Sequence, residues 1–377
     1  MDSTEVQSES ARIKAFDSLR GLAALGVVLW HYGAHFKAHP FIEVFTPFYR
    51  AGYLLVDFFF VLSGYVITRA YWTDRRRFKL GKNIRSRIAR LYPLHFFTLV
   101  AVAILQWQLT SHGDAAFIYT LNNGYHFLLN LVMINGIGLQ DGYSFNGPAW
   151  SISTEFVVNV AFLAFIASSL ILRGTYLVFG LATALLLFTS SHTLVNGDRV
   201  LGHLDAQLVR CMLGFGMGVL LQLAHRHGWI HAPGMRAWAR DLLAMAIIIT
   251  FIVFMNTQRP HATIISYLAV IVLSAFTLAA VYQSIGVKKL LEVRPLVFLG
   301  EISYSIYLVH FPLQLLFVVI CSYSGLSLDY QNVVVMALYF VILVALSSLT
   351  YRYIEQPGQA FLSPRRRPAS ESAAAIS

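Results

Sequence analysis

The chain of 377 residues is 57% hydrophobic and 12% charged, and 14% of its residues are aromatic. This composition is typical of an integral membrane protein with aromatic belts at the lipid interfaces, and it excludes an ordinary soluble enzyme. The net charge of +10 does not indicate nucleic-acid binding, because Lys and Arg concentrate in the cytoplasmic loops of membrane proteins. The two cysteines, Cys211 and Cys321, lack metal-type spacing, so we expect no disulfide framework and no metal site.

The two ends of the chain differ in composition from the middle. Residues 1–11 are predicted to form a disordered tail, and the mixed charges before the first apolar segment do not resemble a signal peptide. Residues 359–377, rich in Arg, Ala and Ser, are predicted to form a disordered basic tail. Between them, residues 12–358 are expected to form one membrane domain.

Apolar stretches near the roughly 20 residues needed to cross a bilayer predict an all-α protein with ten transmembrane helices. These stretches begin at about Asp17, Ala51, Leu91, Trp150, Thr175, Asp205, Asp241, Ala262, Leu296 and Gln331. An eleventh stretch, at 125–137, is short and interrupted by Asn130, Asn135 and Gly136. We interpret this region, near 121–138, as a re-entrant or interfacial segment.

The distribution of charge predicts the orientation. With ten spans and a cytoplasmic N-terminus, most Lys and Arg residues fall in cytoplasmic segments, and residues 111–149, which contain neither, form an outer loop. An eleventh span would place the arginines of 365–367 outside the cytoplasm. The charge pattern therefore favours ten spans with both termini in the cytoplasm.

The basic segment 74–90 alternates apolar and cationic residues. This pattern predicts an amphipathic helix lying on the inner leaflet. Two interpretations stay open: the helix anchors the chain to anionic lipid, or some of its arginines bind a phosphorylated cytoplasmic ligand.

The first predicted span contains Arg20 and, eleven positions later, His31. In a helix this spacing puts both residues on nearly the same face, about 16 Å apart along the axis. Ionisable residues within a membrane span are expensive and suggest a functional site. His31 could act as a general base or nucleophile or be hydrogen-bonded packing. Arg20 could clamp a phosphate or carboxylate or only set the topology.

The second span carries Asp57 about two turns into the helix. A carboxylate at that depth needs a partner such as Arg or His. Ser63 and Gly64 follow in the same span, and for these small residues we favour helix packing over chemistry.

The fourth span begins with Trp150 and Ser151 and carries Glu155 one turn further on. We expect all three near the outer interface, where Trp150 could belong to an aromatic belt. Glu155 could orient a sugar hydroxyl or a histidine.

The ninth span contains Ser303, Tyr307 and His310. Their i, i+4, i+7 spacing puts them on one helix face, and such a polar stripe usually faces the bundle interior. His310 is then a second buried imidazole, with hydrogen-bonded packing as the alternative.

Taken in order, these segments resemble the acyltransferase-3 family of membrane O-acyltransferases. The resemblance covers about residues 12–358 and is carried by residues 16–21 with the Arg20/His31 pair, 57–64, 87–93, 150–155, 303–310 and 353–357. Each motif alone is weak, but six in register form a strong signal. One departure is conservative, since the family's common Trp-Ser-Leu is here Trp150-Ser151-Ile152.

The resemblance implies ten spans in the bacterial inner membrane. It also implies transfer of an acyl group, usually acetyl, from cytoplasmic acyl-CoA to a hydroxyl of an envelope or secreted glycan. We expect a stand-alone member, without the SGNH-type hydrolase domain that some members carry after the tenth span. We therefore expect an acceptor of the stand-alone members: exopolysaccharide, lipopolysaccharide, a lipo-oligosaccharide or a macrolide-type small molecule.

The sequence hypothesis assigns three groups of residues. The catalytic group is His31 and Glu155, and the acyl-CoA-binding group is Arg20, Arg87 and Arg90. The acceptor-binding or supporting group is Asp57, Ser63, Trp150, Ser151, Ser303, Tyr307 and His310. Acyl-CoA is expected as a co-substrate, with no permanently bound cofactor, and the expected partners are a glycan or glycolipid acceptor and membrane lipid. The oligomeric state is not specified, and His31 could deprotonate the hydroxyl or carry the acyl group.

Two other functions compete with acyl transfer. A proton-coupled secondary transporter could use His31, His310 and Glu155 as a relay, but such transporters often contain internal repeats, and none is found here. A glycan flippase would need a wide cationic lumen, whereas few basic residues fall within the spans. Release of CoA set against transport by the purified protein would separate these functions.

Overall fold

The computed structural model describes residues 12–72, 78–168, 173–174, 177–178, 180–185, 199–200, 204–230, 234–258 and 263–363. Within these ranges the regular secondary structure is helical apart from one antiparallel pair of two-residue strands, β1 (Arg199–Val200) and β2 (Leu204–Asp205). The predicted all-α class is confirmed.

Fourteen α-helices are defined in the described part of the chain. The first seven are α1 (Lys14–Phe36), α2 (Ile42–Ala51), α3 (Leu55–Tyr71), α4 (Leu80–Ser111), α5 (Gly124–Leu131), α6 (Trp150–Ile166) and α7 (Ala206–Arg226). The others are α8 (Ala237–Thr257), α9 (Ile264–Gln283), α10 (Gly286–Leu291), α11 (Arg294–Glu301), α12 (Ser303–Ser324), α13 (Val333–Thr350) and α14 (Gln356–Leu362). Short 3₁₀ turns at Gly52–Leu54 and Gly147–Ala149 precede α3 and α6, and a π-helical turn, Tyr351–Glu355, joins α13 to α14.

Eight helical segments of the described chain are long and apolar enough to span a membrane. They are Ile42–Tyr71, Leu80–Ser111, Gly147–Ile166, Ala206–Arg226, Ala237–Thr257, Ile264–Gln283, Ser303–Ser324 and Val333–Leu362. These correspond to eight of the ten predicted spans. The first predicted span is α1, whose 23 residues would cover about 34 Å but include several polar side chains. The span predicted from Thr175 falls mostly outside the described residues.

Glycines allow the central helices to approach closely. A Cβ atom added to Gly64 of α3 would lie 2.0 Å from the backbone oxygen of Phe215 in α7. A Cβ atom on Gly300 of α11 would lie 2.1 Å from the backbone oxygen of Asp17 in α1. Small residues at such crossings let helix backbones pack tightly in membranes, which agrees with the packing interpretation of Gly64.

The region between α4 and α6 enters the bundle and returns. The Ser111 end of α4 and the Ser324 end of α12 lie on the same side, because the Tyr323 hydroxyl donates to the Gln108 carbonyl at 3.1 Å. Asn130 of α5 contacts His95 of α4 through its carbonyl at 2.7 Å, about 24 Å of helix from Ser111. Of the two alternatives, this path agrees with the re-entrant interpretation rather than the interfacial one.

This re-entrant path places the start of α6 deep in the bundle. Asn146, four residues before Trp150, donates from Nδ2 to the Leu308 carbonyl of α12 at 3.0 Å, about 24 Å of helix from Ser324. The expectation that Trp150, Ser151 and Glu155 lie near the outer interface is therefore wrong. It assumed that a span starts at the membrane surface.

A second correction concerns the basic segment 74–90. Residues 80–90 are the first turns of α4, which runs on through Pro93 to Ser111, and not a separate helix on the membrane surface. The reason is that its arginines find partners within the bundle: Arg87 pairs with Glu155 at 3.4 Å, and the Arg85 side chain donates to the Leu362 carbonyl at 2.8 Å. Residues 74–77 lie outside the described residues.

Candidate active site

A cavity of about 140 Å³ lies between α1, α3, α4, α6 and α12. Its cationic residues are Arg20, Arg87 and Arg90, and its other polar residues are Ser63, Ser151, Glu155, Ser303, Tyr304 and Tyr307. Its apolar residues are Val56, Phe59, Phe60, Leu62, Val66, Ile67, Leu91 and Ile152. We call this space the arginine cavity.

Arg20 joins α1 to the junction of α11 and α12. Its Nε donates to the Ser303 hydroxyl at 2.8 Å, and its Nη2 donates to the Gly300 carbonyl at 2.6 Å. An oxygen of Asp17 lies 3.2 Å from the same Nη2. Arg20 is thus more than a topology signal, since it holds two helices at the wall of the cavity.

Arg87 and Arg90 are less fully paired. Arg87 meets the Glu155 carboxylate at 3.4 Å, and its Nε is buried without a hydrogen-bond partner. No described residue forms a hydrogen bond or ion pair with Arg90. With three guanidinium groups and one carboxylate, the cavity lining carries a positive excess that favours an anion.

Glu155 is held within this cationic cavity. Its Oε1 accepts a hydrogen bond from the Ser63 hydroxyl at 2.7 Å. Ser63 therefore positions the Glu155 carboxylate, in addition to lying next to Gly64 in the packed helix. Glu155 lines the cavity, whereas His31 does not. The structure therefore does not bring together the two side chains that the sequence hypothesis assigned to catalysis.

His31 and His310 form a buried pair, with ring centroids 4.7 Å apart. Nδ1 of His31 lies 3.0 Å from the Val27 carbonyl, and Nδ1 of His310 lies 2.6 Å from the Tyr307 carbonyl. Because a carbonyl oxygen only accepts, both Nδ1 atoms carry the proton, and each Nε2 of the neutral rings is left with a free lone pair. The pair can therefore accept a proton at Nε2.

Tyr307 lies between the arginine cavity and the histidine pair. It lines the cavity, and its ring centroid is 5.8 Å from that of His310. Its hydroxyl is within hydrogen-bonding distance of the Ser151 hydroxyl at 2.7 Å and of the Pro148 carbonyl at 2.9 Å. Tyr307 and Ser151 thus form the wall between the two regions.

Asp57 has the charged partner that its depth requires. Arg210 of α7 approaches both carboxylate oxygens, at 2.6 and 3.3 Å, and its guanidinium lies over the Tyr267 ring at 4.0 Å and the Trp150 ring at 5.7 Å. The expectation of a partner is confirmed. Neither Asp57 nor Trp150 lines the cavity, so both support it from behind.

The polar residues that the sequence hypothesis did not assign include His35, Gln314 and Glu355. His35 lies one turn beyond His31 and contacts Gln314 of α12, with His35 Nδ1 and Gln314 Oε1 2.7 Å apart. Glu355 is buried in the π-helical turn and accepts a hydrogen bond from the Ser305 hydroxyl at 2.9 Å. The sequence contained a signal for two of them, since His35 follows His31 at helical spacing and Glu355 falls in motif 353–357.

In the described part of the chain, no three His, Cys, Asp or Glu side chains are arranged to hold a metal ion.

Comparison with known proteins shows the family of the chain. The family described as an acyltransferase domain matches residues 13–352. The chain therefore belongs to the acyltransferase-3 family. No solved structure matches it significantly.

Several curated relatives align with the chain at low identity. A putative peptidoglycan O-acetyltransferase, YrhL of Bacillus subtilis, is 25% identical over 94% of this chain and 56% of the relative. The acyltransferase MdmB of Streptomyces mycarofaciens is 27% identical over 80% of this chain and 78% of the relative. Protein 2 in the picA locus of Rhizobium radiobacter is 28% identical over 49% of this chain and 98% of the relative. The chain thus spans little more than half of YrhL.

Proposed function

We propose that the protein transfers an acyl group, most simply acetyl, from acyl-CoA to a hydroxyl of an envelope or secreted glycan in the bacterial inner membrane. The observation that carries this proposal is the arginine cavity, which combines three guanidinium groups with apolar walls. Acyl-CoA carries the matching groups, with anionic phosphates at one end and a thioester on a slender arm at the other.

In this proposal the phosphates of CoA bind the arginines. Arg90 forms no hydrogen bond or close ion pair with a described residue and interacts with the Glu355 carboxylate only at longer range, and Arg87 has a free buried Nε beside its 3.4 Å contact with Glu155. Both can therefore accept an anion. A guanidinium group can bind phosphate oxygens in a bidentate manner. The apolar residues Phe59, Phe60 and Ile152 then line the space for the pantetheine arm and the thioester.

The chemistry requires a base that accepts one proton and later releases it. We assign this role to Nε2 of His31, next to His310. The acceptor hydroxyl loses its proton to His31, its oxygen forms the C–O bond with the thioester carbonyl carbon, and the C–S bond breaks. The proton then passes to the leaving thiolate, so the reaction releases CoA without a net change in protons.

Tyr307 has to move for this step, because it separates the arginine cavity from the histidine pair. Its hydroxyl contacts on Pro148 and Ser151 are of a kind worth only about 0.5–1.5 kcal/mol each. Binding of acyl-CoA can offset that cost.

Glu155, bound to Arg87 and Ser63, positions the arginine in this proposal and does not act as a base.

The test uses purified protein in lipid nanodiscs, acetyl-CoA and glycan from the source strain from which alkali has removed the ester groups. CoA release is followed with a thiol reagent, and mass spectrometry detects new acetyl groups on the glycan. We expect glycan-dependent release of CoA and a matching gain of acetyl groups. A protein that neither binds acetyl-CoA nor releases CoA would contradict the proposal, and proton-coupled uptake of a solute would favour the transporter.

A further inference from the structure

Beyond the histidine pair, the seam between α1 and α12 continues as a second group of polar side chains. His35 Nδ1 lies 2.7 Å from Gln314 Oε1, and the Tyr119 hydroxyl lies 3.4 Å from His35 Nε2. We call His35, Gln314 and Tyr119 the polar cluster. It lies about 22 Å along α1 from Arg20, on the side of the histidine pair away from the arginine cavity.

The polar cluster has unused hydrogen-bonding capacity in a buried place. Gln314 and His310 are both 0% exposed, yet Gln314 Nε2 and His310 Nε2 have no hydrogen-bond partner. Rotating the Gln314 amide would only exchange the unpaired nitrogen for an unpaired oxygen. A buried polar atom without a partner typically costs about 1–3 kcal/mol. These two lie one helical turn apart next to the histidine pair, where a bound acceptor would satisfy both.

Aromatic rings surround these polar atoms. The ring centroids of Phe117, Tyr119 and Phe311 lie 6.1, 5.9 and 5.6 Å from that of His35. Between the first two, Ile118 has a φ of 60°, a strained value for a β-branched residue. This conformation turns Phe117 and Tyr119 inward while the Ile118 side chain is exposed to 42%.

We propose that the polar cluster, together with His310, is the subsite that binds the sugar ring of the acceptor. This proposal rests on the acyl transfer proposed above and adds the acceptor's binding residues. Aromatic faces can stack on the C–H faces of a sugar ring, and a few placed polar groups fix its hydroxyls. None of the four side chains carries a fixed charge, so a neutral polyhydroxylated ring is favoured over a phosphate- or carboxylate-bearing one.

In this arrangement the sugar lies against Gln314 and Tyr119, and its reacting hydroxyl points along the seam toward Nε2 of His310 and His31. The donor and acceptor then reach the histidine pair from opposite sides. The turn 117–119 covers the subsite and has to open to admit the sugar. Trp150, which the sequence hypothesis placed in the acceptor-binding or supporting group, is not part of this subsite.

The first test measures kinetics with acetyl-CoA and increasing amounts of the alkali-treated glycan. We expect Gln314→Leu and His35→Phe each to raise the KM for glycan at least tenfold and to leave the KM for acetyl-CoA within twofold. Gln314→Glu keeps an oxygen for His35 Nδ1 and replaces the free Nε2 donor by an acceptor. Because a sugar hydroxyl can also donate, this variant should recover part of the loss. The matched control is Gln222→Leu, since Gln222 is a buried glutamine of α7 with an unpaired Oε1, and it should change neither KM.

The second test does not depend on turnover. A cysteine at position 35, in a chain lacking Cys211 and Cys321, is labelled with a water-soluble methanethiosulfonate reagent. The same glycan, present at several times the raised KM of this variant, should slow labelling at least threefold. Unchanged glycan KM values in both kinetic variants, or labelling that glycan does not slow, would overturn the subsite. If the wild type transfers no acetyl group at all, the proposed function fails instead.

Discussion

The arginine cavity and the polar cluster lie at the two ends of one seam between α1 and α12, and they differ in chemistry. The cavity contains three cations and a carboxylate against apolar walls. The cluster contains neutral polar groups among aromatic rings. A membrane interior tolerates polar groups only when they are paired or functional. In the proposed function, this contrast serves two ligands of different charge that meet at the histidine pair.

The largest effect is expected where the two regions meet. His31→Gln keeps a similar size but lacks a proton acceptor of suitable basicity, and we expect the rate of acyl transfer to fall roughly 10²–10⁴-fold. Acetyl-CoA binding, measured by calorimetry, should remain. His227→Gln, at an exposed position after α7, is the control. A variant of His31 with near-normal transfer would remove the histidine pair from the mechanism.

Next in size is the ion pair behind the cavity. Asp57→Asn or Arg210→Leu alone leaves one charge buried without its partner, at a cost of roughly 3–5 kcal/mol. We expect strongly reduced folded yield and thermal stability in detergent. Asp57→Leu combined with Arg210→Leu should regain part of the stability, because replacing a buried ion pair by apolar residues is often neutral. If the single and double variants are equally unstable, loss of the Asp57–Arg210 ion pair does not explain the reduced stability of the single variants.

A smaller effect is expected within the arginine cavity. Arg90→Ala should raise the Kd for acetyl-CoA about 10- to 100-fold, since a hydrogen bond to a charged group contributes roughly 1.5–3 kcal/mol. Arg90→Lys should give an intermediate Kd because lysine keeps the positive charge but lacks the bidentate geometry of the guanidinium group. Arg85→Ala, on the same helix but outside the cavity lining, should bind normally. Equal affinity in all four proteins would argue against CoA in this cavity.

The smallest effect is expected at the wall between the regions. Tyr307→Phe removes the hydroxyl contacts with Ser151 and Pro148 but keeps the ring, so acyl transfer should stay within about tenfold of the wild type. Tyr307→Ala removes the wall, and water should then reach the thioester. Hydrolysis of acetyl-CoA without glycan should therefore rise in Tyr307→Ala and stay low in Tyr307→Phe. The same hydrolysis rate in both variants would show that Tyr307 is not a barrier.

Local sequence patterns predicted the helices because hydrophobic length and charge bias depend on neighbouring residues. Residues on the same helix face, such as Arg20 with His31 and Ser303 with Tyr307, were also predictable from helical spacing. The need of Asp57 for a partner followed from its depth alone, whereas the identity of that partner, Arg210, depends on how α3 and α7 pack.

Other features of the site depend on tertiary structure. The depth of Glu155 could not be predicted, because the re-entrant segment moves the start of α6 into the bundle. The burial of Arg87 depends on the approach of α4 to α6. Gln314 carried no signal of its own, since a single glutamine in an apolar helix acquires its role only from the facing His35.

The central claim, that donor and acceptor sites open to opposite sides of the membrane, is tested most directly by sided labelling. Single cysteines replace Val66, which lines the arginine cavity, and Ile118, which is exposed over the polar cluster, in a chain lacking Cys211 and Cys321. With a membrane-impermeant maleimide, we expect position 66 to label only in inverted vesicles and to be protected by CoA. Position 118 should label only in right-side-out vesicles, without protection by CoA. Labelling of both positions from the same side, or protection of position 118 instead of 66 by CoA, would contradict the claim.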